Sequence, residues 1–424
     1  MWPKVNTAFL VIHGQGQHEP YQALDWFVNG FWEWFNGKNQ STNIQWKHKL
    51  QRHDGRVYSY ISLVPDSDEK PTLDFYEFYW DRYMGHDIDL ADLFDYFYEV
   101  SSGAKEFYKS EDFDRVCQVE KVCKVRRFKE GWHVIRSNWR IGRFIDWLLR
   151  WALIHVRFEE GWHVIRSKRF IGQFIDWLLR WALSNRRVAH WEGFPLLLRL
   201  LPRYFRDKVS ENVHDFVIYL NPNARWRHFD IRDNLLSGAL EELRLLLRND
   251  YEKIIIVGHS MGSVIAYDTL SRVCRDLAAT DGITPEFAEK IAGLVTFGSP
   301  LDKIAFFYYK PLSNKNKSGE IFVQRQILNQ RHGFKSRLLP RATRKPVPIE
   351  DPMEIEHPDG TKCRRLDNIT WLNFWNPRDL AADCLITYDV DNIPLENKDS
   401  LKSEHTFYWS CPEMYEKIAE KFFK

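Results

Sequence analysis

Three short runs of apolar residues stand out along the chain. Residues 8–12 (AFLVI), 254–257 (IIIV) and 291–297 (IAGLVTF) are apolar at nearly every position, not at alternate ones. A strand covered on both faces has that pattern, so the three runs predict central strands of a parallel sheet. Residues 56–64 alternate like a strand, and 73–80 (LDFYEFYW), 214–220 (HDFVIYL), 321–327 and 369–374 are further strand candidates. Between them lie stretches of helical spacing. Residues 24–35 form an aromatic-rich helix pattern and 231–247 a long amphipathic one. After Gly262, the apolar Val264, Ile265, Tyr267, Leu270 and Val273 recur at roughly helical intervals. Strands alternating with helices predict an α/β fold: a mostly parallel sheet flanked by helices on both faces.

The alternation stops between residues 84 and 205. An acidic helical piece comes first, with Asp87, Asp89, Asp92 and Asp95 opposite Leu90, Leu93, Phe94 and Phe97. A tandem repeat follows at 128–153 and 158–183, identical at 21 of 26 positions. Two copies are too few for a solenoid, and a doubled segment inside a sheet would disrupt its packing. The region therefore reads as a large helical insertion, 84–205, in a main domain built from 1–83 and 206–424.

Charge singles out the same region. The whole chain carries a net +2, yet residues 121–187 hold 16 Lys/Arg against 5 Asp/Glu, a local excess of +11. In the first repeat Ile141, Phe144, Ile145, Leu148, Leu149 and Ala152 cover one broad face, extended by Trp147 and Trp151. Asp146 and Arg150 make a central membrane span costly. The first reading is a helical cap whose apolar face packs on the main domain; a basic, Trp-rich amphipathic helix also fits the interface of an anionic membrane, and self-association is the third reading. No nucleic-acid-binding module is recognisable, and no nucleic-acid partner is expected. Six cysteines without metal-ligand spacing, and no leading apolar segment, point to a cytoplasmic protein with free thiols, with peripheral membrane contact as its extension.

The chemistry is concentrated where two predicted strands end. Gly258-His259-Ser260-Met261-Gly262 follows the second apolar run and opens a helix. In a strand–turn–helix setting, G-x-S-x-G places a serine at the tip of a turn too tight for side chains two residues away, which accounts for Gly258 and Gly262. The first run ends in His13-Gly14-Gln15-Gly16, where Gly14 and Gly16 let backbone approach a bound group.

These two motifs, with Thr296-Phe297-Gly298-Ser299-Pro300-Leu301, in this order, resemble the α/β-hydrolase superfamily in its lipase/esterase-like branch. The resemblance covers roughly 5–83 and 206–424. It implies an acyl-transferring serine, Ser260, and an oxyanion hole made by the backbone N–H groups of Gln15 and Met261. It also implies an acid and then a histidine after the serine. His405, close to the end of the sequence, leads over His332 and His357. Asp379, in the loop leaving the 369–374 strand, leads over Asp383. The expected activity is hydrolysis of acyl esters, lipid esters among them, with no metal or organic cofactor. A thioesterase or acyltransferase would use the same residues, and a non-catalytic scaffold could share the fold. Acyl length, headgroup and oligomeric state are not legible.

Overall fold

The computed structural model describes residues 2–16, 18–38, 44–53, 55–65, 71–84, 215, 218–220, 229–276, 288–302, 304, 334–335, 354–356, 362–364, 366, 368–379, 381–382, 384–397 and 403–424. The chain divides into two compact units. One takes Met1–Tyr83, Asp230–Tyr308 and Lys315–Lys424, and the other Met84–Phe229 with Tyr309–Asn314. The tandem repeat, the acidic helical piece and the 321–327 strand candidate lie outside the described residues.

The first unit holds an eight-stranded sheet. Its strands are β1 (Thr7–Ile12), β2 (Ile44–His53), β3 (Arg56–Pro65), β4 (Leu73–Phe78), β5 (Lys253–His259), β6 (Ile291–Phe297), β9 (Thr370–Trp375) and β10 (Asp391–Pro394). Two short strands, β7 (Glu354–Glu356) and β8 (Lys362–Arg364), pair separately. The sheet order is β10-β9-β6-β5-β1-β4-β3-β2. From β10 to β4 every neighbouring pair is parallel; only β4–β3 and β3–β2 are antiparallel. The expectation of a mixed α/β fold with a mostly parallel sheet holds.

Among the described residues four helices flank this sheet: α1 (Gln22–Lys38), α2 (Phe229–Arg248), α3 (Met261–Asp276) and α4 (Pro412–Phe422). The pleat explains how the apolar runs are used, because successive residues face opposite sides. Phe9, Val11, Ile255, Val257, Val295, Phe297, Leu372 and Phe374 pack with α1 and α4 in one core. On the other face Trp371 meets Tyr267 of α3, and Phe78 lies against Gly238 of α2. Close helix packing depends on two glycines. A Cβ at Gly30 of α1 would lie 2.1 Å from the Tyr415 hydroxyl of α4, and one at Gly293 of β6 would lie 2.3 Å from the Phe422 ring.

Two expectations need correction, and one strand was not anticipated. Residues 214–220, read as a strand, are helical at 215 and 218–220, where they are described. A short apolar run fits a buried helical turn as well as a buried strand. The edge strand β2 escaped the hydropathy pattern because it is mostly exposed. Cys411 is a free thiol, but Cys384 is disulfide-bonded, contrary to the expectation of free thiols throughout. Among the described residues no helix is long and apolar enough to cross a membrane.

Candidate active site

Strand register gathers the motifs. Ile12 of β1 pairs with Gly258 of β5, His259 with Phe297 of β6, and Phe297 with Phe374 of β9. The loops leaving these strands, which begin at His13, Ser260, Gly298 and Asn376, therefore emerge side by side at the carboxyl edge of the sheet. The strands that follow β1 in the chain fill first one flank of it (β2 to β4) and then the other (β5 onward). The carboxyl edge beside such a reversal is where open α/β sheets form their clefts.

Ser260 has φ of 49°, a left-handed conformation that costs a non-glycine residue energy. The surroundings hold it there. Its N–H donates to the Phe297 carbonyl at 3.0 Å, and its own carbonyl accepts the Ser263 N–H at 3.0 Å and the Ser263 hydroxyl at 2.5 Å. The Ser263 hydroxyl also meets that of Ser299, at 2.7 Å, which ties the turn to the loop after β6. Both elbow glycines are sterically required. A Cβ at Gly258 would sit 2.6 Å from the Gly262 carbonyl oxygen, and one at Gly262 would sit 2.2 Å from that of Ile12. Backbone atoms at that range cannot yield.

The loop after β1 lies against the elbow. A Cβ at Gly14 would meet Nδ1 of His259 at 2.7 Å and the Ser260 Cβ at 3.1 Å. Gly16 has φ of 115°, and Gln15 between them is buried. His13 anchors the loop. Its Nδ1–H donates to the Gly14 carbonyl at 2.8 Å, its Nε2 accepts the Trp80 N–H at 3.3 Å, and its ring stacks on the Trp80 indole. Burial, reinforced by the nearby His18, drops its pKa to about 3, so His13 is a neutral structural imidazole.

Asp379 and His405 meet beside this turn. The loop after β9 is shaped by Asn376, whose side-chain oxygen accepts the Arg378 N–H and whose carbonyl accepts the Asp379 N–H. His405 Nδ1–H donates to Asp379 Oδ2 at 2.9 Å, with Oδ1 at 3.1 Å. The carboxylate also accepts the Tyr408 hydroxyl at 3.0 Å and the Ala381 N–H at 2.9 Å. Asp379 and His405 are 5% and 4% exposed, so their pairing is shielded from water. Burial and the Asp379 charge raise the Tyr408 pKa well above its ordinary value, which keeps it a donor. The His405 turn is pinned to α4, where the Tyr415 hydroxyl donates to the Trp409 carbonyl at 2.7 Å.

Ser260 and His405 adjoin consecutive residues at the end of β6. The serine N–H bonds Phe297, and His405 Cε1 lies 3.1 Å from a Cβ built on Gly298, whose φ is 61°. Ser260, Asp379, His405, Gly14, Gln15, Gly16, Gly258, Met261 and Gly262 thus share one edge of the sheet. Asp383, His332 and His357 lie outside the described residues. Tyr408 and His259 were not singled out as site residues from the sequence, although one lies three positions after His405 and the other inside the serine motif. Among the described residues no group of three or more His, Cys, Asp or Glu is placed to hold a metal ion. Comparison with known proteins finds no matching family model, curated protein or solved structure.

Proposed function

We propose that the protein is a serine hydrolase of acyl esters, lipid esters included, built on an α/β-hydrolase-like fold. The observation that carries this reading is the buried Asp379–His405 pair at the sheet edge where Ser260 is held at a positive φ. With Nδ1–H given to Asp379, the other imidazole nitrogen, Nε2, carries the lone pair.

In the proposed mechanism Ser260 Oγ attacks the acyl carbonyl carbon while Nε2 of His405 accepts its proton. Asp379 fixes the tautomer and stabilises the imidazolium. The backbone N–H groups of Gln15 and Met261 receive the oxyanion. Met261 opens α3, so its N–H has no acceptor within the helix. Each such donor is worth about 3–4 kcal/mol in comparable sites. The tetrahedral intermediate expels the alcohol, which takes the proton from His405, and leaves an acyl-enzyme. Water, deprotonated by His405, then releases the acid and restores the serine. Thioester hydrolysis and acyl transfer to an alcohol would use the same groups.

A panel of acyl esters of graded chain length tests the reading. Wild type should hydrolyse a subset and Ser260→Ala none, with Asp379→Asn reduced about 10⁴-fold in kcat. Turnover by the Ser260→Ala protein equal to wild type would refute it.

A further inference from the structure

His259, inside the serine motif, does more than fill the turn. Its Nε2–H donates to the backbone carbonyl of His405 at 3.0 Å, and its ring lies 4.8 Å from the His405 ring, centroid to centroid. Its opposite edge presents Nδ1 to Gly14, where a Cβ would come within 2.7 Å. Nδ1 has no hydrogen-bond partner and faces a Cα–H, a weak donor at best. Phe297 and Trp409 close the remaining sides, with ring centroids at 5.1 and 5.0 Å. One imidazole thus touches the loop after β1, the serine turn and the histidine loop.

We infer that His259 is a positioning residue: its Nε2–H holds the main chain of His405 so that the ring stays on Asp379, while its Nδ1 edge sets how closely the Gly14 loop approaches Ser260. Its catalytic consequence rests on the hydrolase reading; the placement of the imidazole does not. Complete burial, reinforced by the His405 imidazole, keeps His259 neutral, so it can hold His405 without adding a second positive charge beside the imidazolium. The titratable groups around it are His405, Asp379, Tyr408 and His18. A neutral imidazole with one donor and one lone pair matches the two neighbours it has, a carbonyl and a Cα–H. A hydrocarbon ring of the same size would match only the second.

The experiment compares His259→Phe, which keeps the ring and loses the N–H, with His259→Gln, whose amide places an N–H near the position of Nε2. His259→Asn is a smaller polar control whose amide falls short of that position. Two readouts are taken on full-length protein whose folding is checked by its thermal transition. The first is the low-field proton resonance of His405 Nδ1–H, assigned by its loss in His405→Gln. The second is the rate of labelling by a fluorophosphonate. The resonance should be lost or moved upfield in the Phe and Asn variants and retained in Gln. Labelling should slow by roughly 10- to 100-fold in the first two and stay within a few-fold in the third. An unchanged resonance in His259→Phe or His259→Asn overturns the inference, as does equal loss in His259→Gln and His259→Asn. Absence of the resonance in wild type also overturns it. Wild-type protein that shows the resonance and its response to substitution, yet does not label, keeps the positioning role and removes the hydrolase reading instead.

Discussion

Ser260 carries its evidence in a backbone angle. A serine at φ of 49° is held against its own preference by hydrogen bonds to Phe297 and Ser263, and such strain concentrates at functional sites. The serine and its glycines were legible because the motif states a steric requirement. His405 and Asp379 were legible through chain order and the end of a predicted strand. Tyr408, His259 and the Ala381 N–H on Asp379 were not, because those contacts exist only once distant loops are brought together. A further hidden residue is Glu77 of β4, which accepts the Tyr21 N–H and faces the start of α1. Burial raises its pKa from 4.5 to about 7, against the backbone hydrogen bonds that lower it. Between those values the folded protein holds a proton there that the unfolded chain has released, so this group's contribution to stability rises as pH falls. Glu77→Gln removes that rise. Denaturant titrations from pH 7 to 4.5 should show stability declining more steeply in Glu77→Gln than in wild type, by up to about 1.4 kcal/mol per pH unit. Parallel curves would show that Glu77 ionises normally.

Elements were readable in proportion to their burial. β1, β5, β6 and β9 are buried along nearly all their length, and their apolar runs named them. β2 is mostly exposed, with Trp46 and Leu50 more than half accessible, and carries no such signal. The 214–220 segment failed for the opposite reason: its apolar run was clear, but too short to tell strand from helix. Contact between the elbow and β1 gives an element-scale test. Gly262, in the first turn of α3, lies directly against the Ile12 carbonyl, so Gly262→Ala must separate helix from sheet. It is expected to cost at least about 3 kcal/mol of unfolding free energy in denaturant titration. A loss under 1 kcal/mol would mean that the turn relaxes freely.

The sheet order was not legible at the scale of the molecule, because apolar runs do not say which strands are neighbours. Order and register nevertheless make the candidate site, since they bring residues 13–16, 260, 298–299 and 376–379 to one edge, where His405 meets Asp379. The basic Trp-rich segment, 121–187, lies outside the described residues, and we propose on its composition that it contacts anionic membrane. Liposome flotation should show binding that increases with phosphatidylserine and is lost when residues 120–187 are deleted. Equal flotation of the deleted chain would assign the segment to packing or self-association instead.

The most direct test of the account is to find where a mechanism-based phosphonate attaches. After incubation of the folded protein with a fluorophosphonate, peptide mass spectrometry should place a single stoichiometric adduct on Ser260. The adduct should be absent after heat denaturation and in Ser260→Ala. Folded wild-type protein that remains unlabelled, or that carries its adduct on a different residue, would contradict the assignment of Ser260 as the nucleophile.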